Sequence, residues 1–318
     1  PEPSPAAGPG RLFLVPTPLD FGCATQAALS QTLPLGTLRV AAGLRHWISE
    51  NARSTRAFLK RVSDEVPLRY PLQALQIQEL PHAVHKKGDH LGQFDARPLL
   101  RAAPHGCDIG LVSEAGMPAV ADPGCSVVAA AHQLGLVVTP LSGPAALLLA
   151  LAASGLNGQD FAFVGYLPQQ TQPRQQRILE LQNKALTTGQ TQLFIETPYR
   201  NAALLQALLH HLQPPTRLAL SSGLSLPQFL SRCQSVRDWR AAPAWPALAL
   251  PESCAPLRAL WPAPDAAPAL PGFHWGVASH RGRGRAPETA AAAAAAIAGG
   301  RVNSNPAPAR GWGCGIWS

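Results

Sequence analysis

Three short loops carry the residues best placed for chemistry. They are Pro16-Thr17-Pro18, residues 114–124 (EAGMPAVADPG) and Ser142-Gly143-Pro144, each directly after a short apolar run. In an open parallel sheet, loops leaving the carboxyl ends of strands share one edge, and ligands bind in the crevice there. Three Gly/Pro bends on one edge make a pocket rim. The same bends are ordinary loop chemistry after a strand, and on spacing alone that is the better account. A phosphate ligand is disfavoured: no G-x-x-x-x-G-K-[ST] cradle occurs, and no G-x-G-x-x-G follows a strand. Two carboxylates stand shortly before arginines, Glu50 with Arg53 and Glu196 with Arg200. Each pair reads equally as a general base beside a phosphate contact or as a structural ion pair. Six cysteines, at 23, 107, 125, 233, 254 and 314, form no C-x-x-C and no zinc-like spacing, so no metal is expected.

Strands must hold these loops. Residues 11–16 (RLFLVP), 108–113 (DIGLVS) and 136–141 (LVVTPL) read as buried parallel strands, and 37–40 as a further one. Helices are expected over 24–33, from Ser54 as a cap to 62, over 124–134, and over the apolar stretch 144–156. Strand, turn and helix in alternation argue for an α/β fold with a parallel sheet. A polar linker at 157–160 opens a second set: strands over 161–167, 192–195 and 218–221, helices over 175–184 and 201–212, and a short helix over 227–233. The expected layout is a disordered lead-in over 1–10, α/β domains over 11–157 and 158–250, and a low-complexity tail over 251–318 with an alanine run at 290–296. That tail reads either as native disorder or as a frameshifted terminus.

The net charge of +8 is compatible with a nucleic-acid partner, although arginine far outnumbers lysine throughout and raises the charge for compositional reasons. No run reaches the ~18 apolar residues of a membrane span, so no membrane partner is expected. Dispersed cysteines read as reduced core residues, which fits a cytoplasmic compartment. The polar stretch 79–91, with His82, His85, Lys86, Lys87 and His90, reads as a solvated loop before it reads as an RNA-facing one.

Seven collinear segments over residues 11–240 resemble the bacterial 16S rRNA cytidine 2′-O-ribose methyltransferases, within the tetrapyrrole methylase superfamily. Val15 to Pro18 resembles their opening motif. Residues 50–55 (ENARST) resemble E-D-T-R-H-T, and 113–124 (SEAGMPAVADPG) resemble S-D-A-G-T-P-x-x-x-D-P-G. Residues 140–144 (PLSGP) resemble P-L-P-G-P, 153–156 (ASGL) A-A-G-L, 161–168 F-x-x-x-G-F-L-P, and 194–200 (FIETPYR) F-Y-E-S-x-H-R.

The resemblance implies two α/β domains of the tetrapyrrole methylase type with S-adenosylmethionine held in the cleft between them. Its contacts map onto Pro16, Thr17, Pro18, Ala115, Gly116, Met117, Pro118, Gly143, Pro144, Ala145, Glu196 and Thr197. It also implies a ribosomal RNA substrate and a homodimer; a small-molecule acceptor such as a tetrapyrrole, or an inactive cofactor-binding chain, are the alternatives. Glu50 is the first candidate base and Glu196 the second, with Arg53 and Arg200 beside them. Departures cluster in the same segments: Asn51 for an acid, Ser54 for His, Glu114 for Asp, Met117 for Thr, Tyr199 for His, and Asp20 where a Gly-Asn turn is usual. The family's final strand, expected soon after Trp239, has only residues 247–250 as a poor substitute.

Overall fold

The computed structural model describes residues 8–20, 23, 26–81, 83–84, 89, 94–197, 200–226 and 229–241, and the backbone of 274–279. The first sheet contains β1 (Leu12–Val15), β2 (His46–Ser49), β3 (Gln76–Glu79), β4 (Ile109–Val112) and β5 (Val138–Pro140), in the order β3-β2-β4-β1-β5. All its pairings are parallel. Strands β1 and β4 are short apolar runs because both faces are covered, and β4 is buried at every residue. Val15 is level with Val112, and Leu14 with Pro140. The loops after β1, β4 and β5 therefore leave along one edge.

Helices α1 (Leu35–Gly43), α2 (Ala52–Glu65), α3 (Cys125–Gln133) and α4 (Ala146–Ser154) belong to this half. Side chains alternate across β2, so Trp47 packs with Phe58, Leu59 and Val62 of α2, while Ile48 packs with Leu111 and Val127 on the opposite face.

The second sheet is mixed, in the order β6-β7-β10-β8-β9: β6 (Phe161–Tyr166), β7 (Thr191–Glu196), β8 (Arg217–Ser222), β9 (Leu230–Ser235) and β10 (His274–Ser279). Only β6 and β7 pair in parallel. Helices α5 (Thr171–Thr188), α6 (Asn201–His211) and α7 (Val236–Ala241) accompany it, with Ile178, Phe194, Leu204, Leu218 and Trp239 in one apolar cluster. Helix α4 joins the halves: Leu147, Ala150 and Leu151 pack with Leu193 and Ile195 of β7 and Ala219 of β8.

Several expectations are corrected. Residues 37–40 are helical, because Thr37, Leu38, Ala41 and Ala42 bury one helical face. Of the helix expected over 24–33, a single 3-10 turn at Leu29–Gln31 forms; Ala24 and Thr25 lie outside the described residues. Helix α2 starts before Ser54, since Asn51 caps it by accepting from the Arg53 and Ser54 N–H groups. Strands β2 and β3 form in mixed sequences that carry no long apolar run. The chain over Leu230–Ser235 is a strand rather than a helix, paired along its length with β8. Most consequentially, β10 lies in the segment that reads as a tail and sits between β7 and β8. A chain ended at 250 would leave two central strand edges unpaired. Cys107, Cys125 and Cys233 are free thiols, whereas Cys23 is disulfide-bonded, against the expectation of a fully reduced set. Among the described residues no helix is long and apolar enough to cross a membrane, and no group of metal-ligating side chains is present.

Candidate functional site

The three bends converge. Thr17 and Gly116 form an isolated antiparallel bridge, with Thr17 N–H donating to the Gly116 carbonyl at 2.9 Å and Gly116 N–H to that of Thr17 at 3.1 Å. The Thr17 hydroxyl also donates to the Ser113 carbonyl at 3.2 Å. The third bend closes on the first: a Cβ on Gly143 would lie 2.3 Å from Cγ of Pro16. At Gly116, where φ is +81°, a Cβ would meet Leu19 Cδ2 at 3.1 Å and the Pro144 carbonyl at 3.6 Å. Thr17, Gly116 and Pro144 thus face one space, with the contact made by backbone that only glycine lets approach so closely. Ala145 caps α4, which starts from this corner.

The 114–124 loop is held in sparsely populated backbone conformations. Besides Gly116 and Gly124, Ala119 and Ala121 have φ of 62° and 66°. Each left-handed non-glycine residue costs on the order of 1–3 kcal/mol and persists only where its surroundings fix it, and such residues cluster at ligand sites. One anchor is Asp89, which accepts hydrogen bonds from the Gly124 and Ser126 N–H groups, the Ser126 hydroxyl and the Cys125 thiol at the start of α3. Burial alone would raise the Asp89 carboxyl, but those bonds hold it below its usual range. Asp89 therefore fixes part of the 79–91 stretch that reads as a solvated loop; His82, His85, Lys86, Lys87 and His90 lie outside the described residues.

Glu50 directly follows β2, beside this loop. Burial pushes its carboxyl up to about 8; the charges of Asp122, Glu114 and Asp89 push the same way, against a hydrogen bond from the Glu114 N–H. Its Oε1 is buried with no hydrogen-bond partner. Asp122, of the D-P-G segment, is raised to about 7, chiefly by burial and further by the charge of Glu114. Arg53 does not join this group. It is exposed, and no ion pair links it to Glu50 among the described residues.

Glu196, the last residue of β7, is settled differently. Arg200 Nη2 lies 2.6 Å from its Oε1, with side-chain exposures of 19% and 8% for Arg and Glu. The same oxygen accepts from the Thr197 N–H, and Arg200 Nε donates to the Thr197 hydroxyl. Ile195, one residue earlier, belongs to the apolar cluster against which Leu19 packs, so the end of β7 lies on the side of the rim. Tyr199 lies outside the described residues.

A cavity of about 470 Å³ opens beside the first bend, lined by Thr17, Pro18, Ser54, Phe58, Ser113 and Glu114 among others. Its wall includes a pair that sequence spacing does not reveal. Arg61 on α2 holds Asp20 with two bonds of 3.0 and 2.7 Å and also donates to the Ala27 carbonyl. Asp20, one of the departures from the family pattern, is thereby the tie between the first bend and α2.

The geometry defines an α/β protein whose strand-end bends converge at the carboxyl edge of a parallel sheet. The model of the Tetrapyrrole (Corrin/Porphyrin) Methylases matches residues 51–231, and the chain belongs to that family. It is 32% identical to Ribosomal RNA small subunit methyltransferase I of Vibrio cholerae over 215 residues, 67% of this chain and 65% of that protein. It is 33% identical to the protein of the same name from Micromonospora olivasterospora over 203 residues, 64% of this chain and 56% of that one. Against the one from Halalkalibacterium halodurans the identity is 41% over 121 residues, 38% and 40% of the two chains. The matched regions thus span 40% to 65% of these relatives' own lengths. A crystal structure of the methyltransferase CobJ aligns at 15% identity with a TM-score of 0.49, covering 85% of this chain and 94% of that one.

Proposed function

We propose that this protein uses S-adenosylmethionine to methylate a ribose 2′-hydroxyl of ribosomal RNA. The observation that carries the reading is the convergence of three strand-end bends, Thr17 bridged to Gly116 and Gly143 pressed against Pro16. The names of the relatives supply the RNA class. A cradle made of close-packed backbone suits a ligand without phosphates that presents an amino-acid end and an adenosine. Pro16 to Pro18, Ala115 to Pro118, Gly143 to Ala145, and Glu196-Thr197 would hold it. When bound, this cofactor supplies a methyl carbon made electrophilic by its sulfonium. The protein's part is to align the acceptor oxygen, and alignment supplies roughly 7–11 kcal/mol in well-oriented reactions.

Glu50 takes the hydroxyl proton in this scheme. A carboxylate raised to about 8 is a stronger base than an ordinary one, near the value that suits general-base work at cellular pH. Glu196, neutralised by Arg200, orients the rim instead. Purified protein incubated with methyl-labelled cofactor and small ribosomal subunits should label RNA, and nuclease digestion should release the label as 2′-O-methylated nucleosides. Label appearing only in a tetrapyrrole, or cofactor uptake with label nowhere, would count against this reading.

A further inference from the structure

The long helix beside the cavity has a feature that the cofactor rim does not use. Arg53, Arg56 and Lys60 are exposed on α2, and none is in an ion pair among the described residues. At 3.6 residues per turn they fall within about 60° of the helix circumference. Asp64, one turn beyond Lys60, ends the stripe. Its flank is the cavity: Ala57 is exposed next to the stripe and lines the cavity with Lys60, Arg61 and Ser54. Arg61 turns inward and is neutralised by Asp20, so the free cationic charge stays on the outer face.

We infer that the cavity receives the acceptor nucleotide and that Arg53, Arg56 and Lys60 hold the phosphates of the single strand running past its mouth. This deepens the function proposed above and rests on it. The cavity falls in the 300–1,000 Å³ range of small-ligand sites, which suits one nucleoside with a base against Phe58. Its wall of Thr17 and Pro18 is shared with the cofactor rim, so an acceptor seated there lies next to it. Lys and Arg side chains in a row outside such a pocket fix a strand's register without reading its bases.

Two variants of the full chain test this, each checked for folding by circular dichroism. Arg56→Glu with Lys60→Glu should weaken binding of a fluorescent single-stranded oligoribonucleotide about tenfold or more. It should also reduce the slope of log affinity against log salt by about 1.4, that is, about 0.7 for each phosphate no longer neutralised. Cofactor affinity by calorimetry should not change. If the glutamates prevent folding, Arg56→Gln with Lys60→Gln gives the same readouts in the same direction. Ala57→Trp should plug the cavity lip and lower methylation about 10²-fold while oligonucleotide and cofactor affinities hold. RNA affinity unmoved by the charge changes would overturn the stripe, and undiminished methylation by Ala57→Trp would overturn the cavity. A wild-type protein that binds cofactor yet neither binds nor labels RNA would sink the functional reading itself.

Discussion

Glu50 and Glu196 look alike in sequence and end in opposite surroundings. Glu50 directly follows a strand and Glu196 ends one, and each precedes an arginine by three or four residues. Glu196 is closed off: the Arg200 N–H donates to the Thr197 carbonyl, and the turn brings the guanidinium back over the carboxylate. Glu50 stands just before the Asn51 cap of α2, so the i,i+3 neighbourhood of a helix does not apply to it, and Arg53 stays exposed. What surrounds Glu50 instead is Asp122, Glu114 and Asp89. A Glu–Arg pair in sequence is therefore no guide to neutralisation unless both residues lie on the same turn.

The largest expected effect separates the two directly. Glu50→Gln should lower methylation by about 10²–10⁴-fold with cofactor affinity retained, the usual consequence of removing a general base. Activity within a few-fold of wild type would remove Glu50 from the chemistry. Arg200→Ala should act on stability: with Glu196 8% exposed at its side chain, the orphaned carboxylate should cost about 3–5 kcal/mol. Chemical denaturation reads this, and Glu196→Leu combined with Arg200→Met should recover much of the deficit. A single variant as stable as wild type would mean the pair is solvated after all.

Legibility in the sequence follows the same line between local and distant. The bends at Thr17, Gly116 and Gly143 are readable because each lies directly after a strand of four or fewer residues, and parallel register forces their meeting. The second sheet's strands β6, β7 and β8 are readable as apolar runs. The pairing of Asp20 with Arg61, 41 residues apart, leaves no periodic trace. Nor does the docking of Asp89 on Gly124 and Ser126. Strand β10 is not legible, because a strand donated to the middle of a sheet from a distant, Pro/Ala-rich segment gains its order from β7 and β8, not from its own pattern. Strand β9 reads as a helix for the same reason, its mixed polar sequence being set by pairing with β8.

A pH profile sharpens the contrast further. In the proposed function the reactive form of Glu50 is the carboxylate, and its fraction grows as pH rises towards about 8. Methylation under limiting substrate should therefore climb about tenfold per unit from pH 6 to 7 and level off above 8. Glu50→Gln should lack this limb, and Asp122→Asn should move it to lower pH by removing a neighbouring charge. A flat wild-type profile from pH 6 to 9 would show that no such group governs the step.

The smallest effect concerns folding alone and needs no substrate. A carboxyl raised from 4.5 to about 8 binds its proton more tightly in the folded protein than in the unfolded chain. The stability this contributes is complete below the unfolded value and is lost as pH rises through the folded one. Glutamine resembles the protonated acid and does not ionise. The melting temperature of Glu50→Gln should thus overtake that of wild type between pH 5 and 9. Each kcal/mol should appear as roughly 2–4 °C in a chain of this size. Because neighbouring carboxyls titrate together, Asp122→Asn should show the same trend from a lower starting pH, its own carboxyl being raised to about 7. A constant gap across that range would mean that water reaches Glu50 in the folded state, and its contrast with Glu196 would then lie in the missing arginine alone.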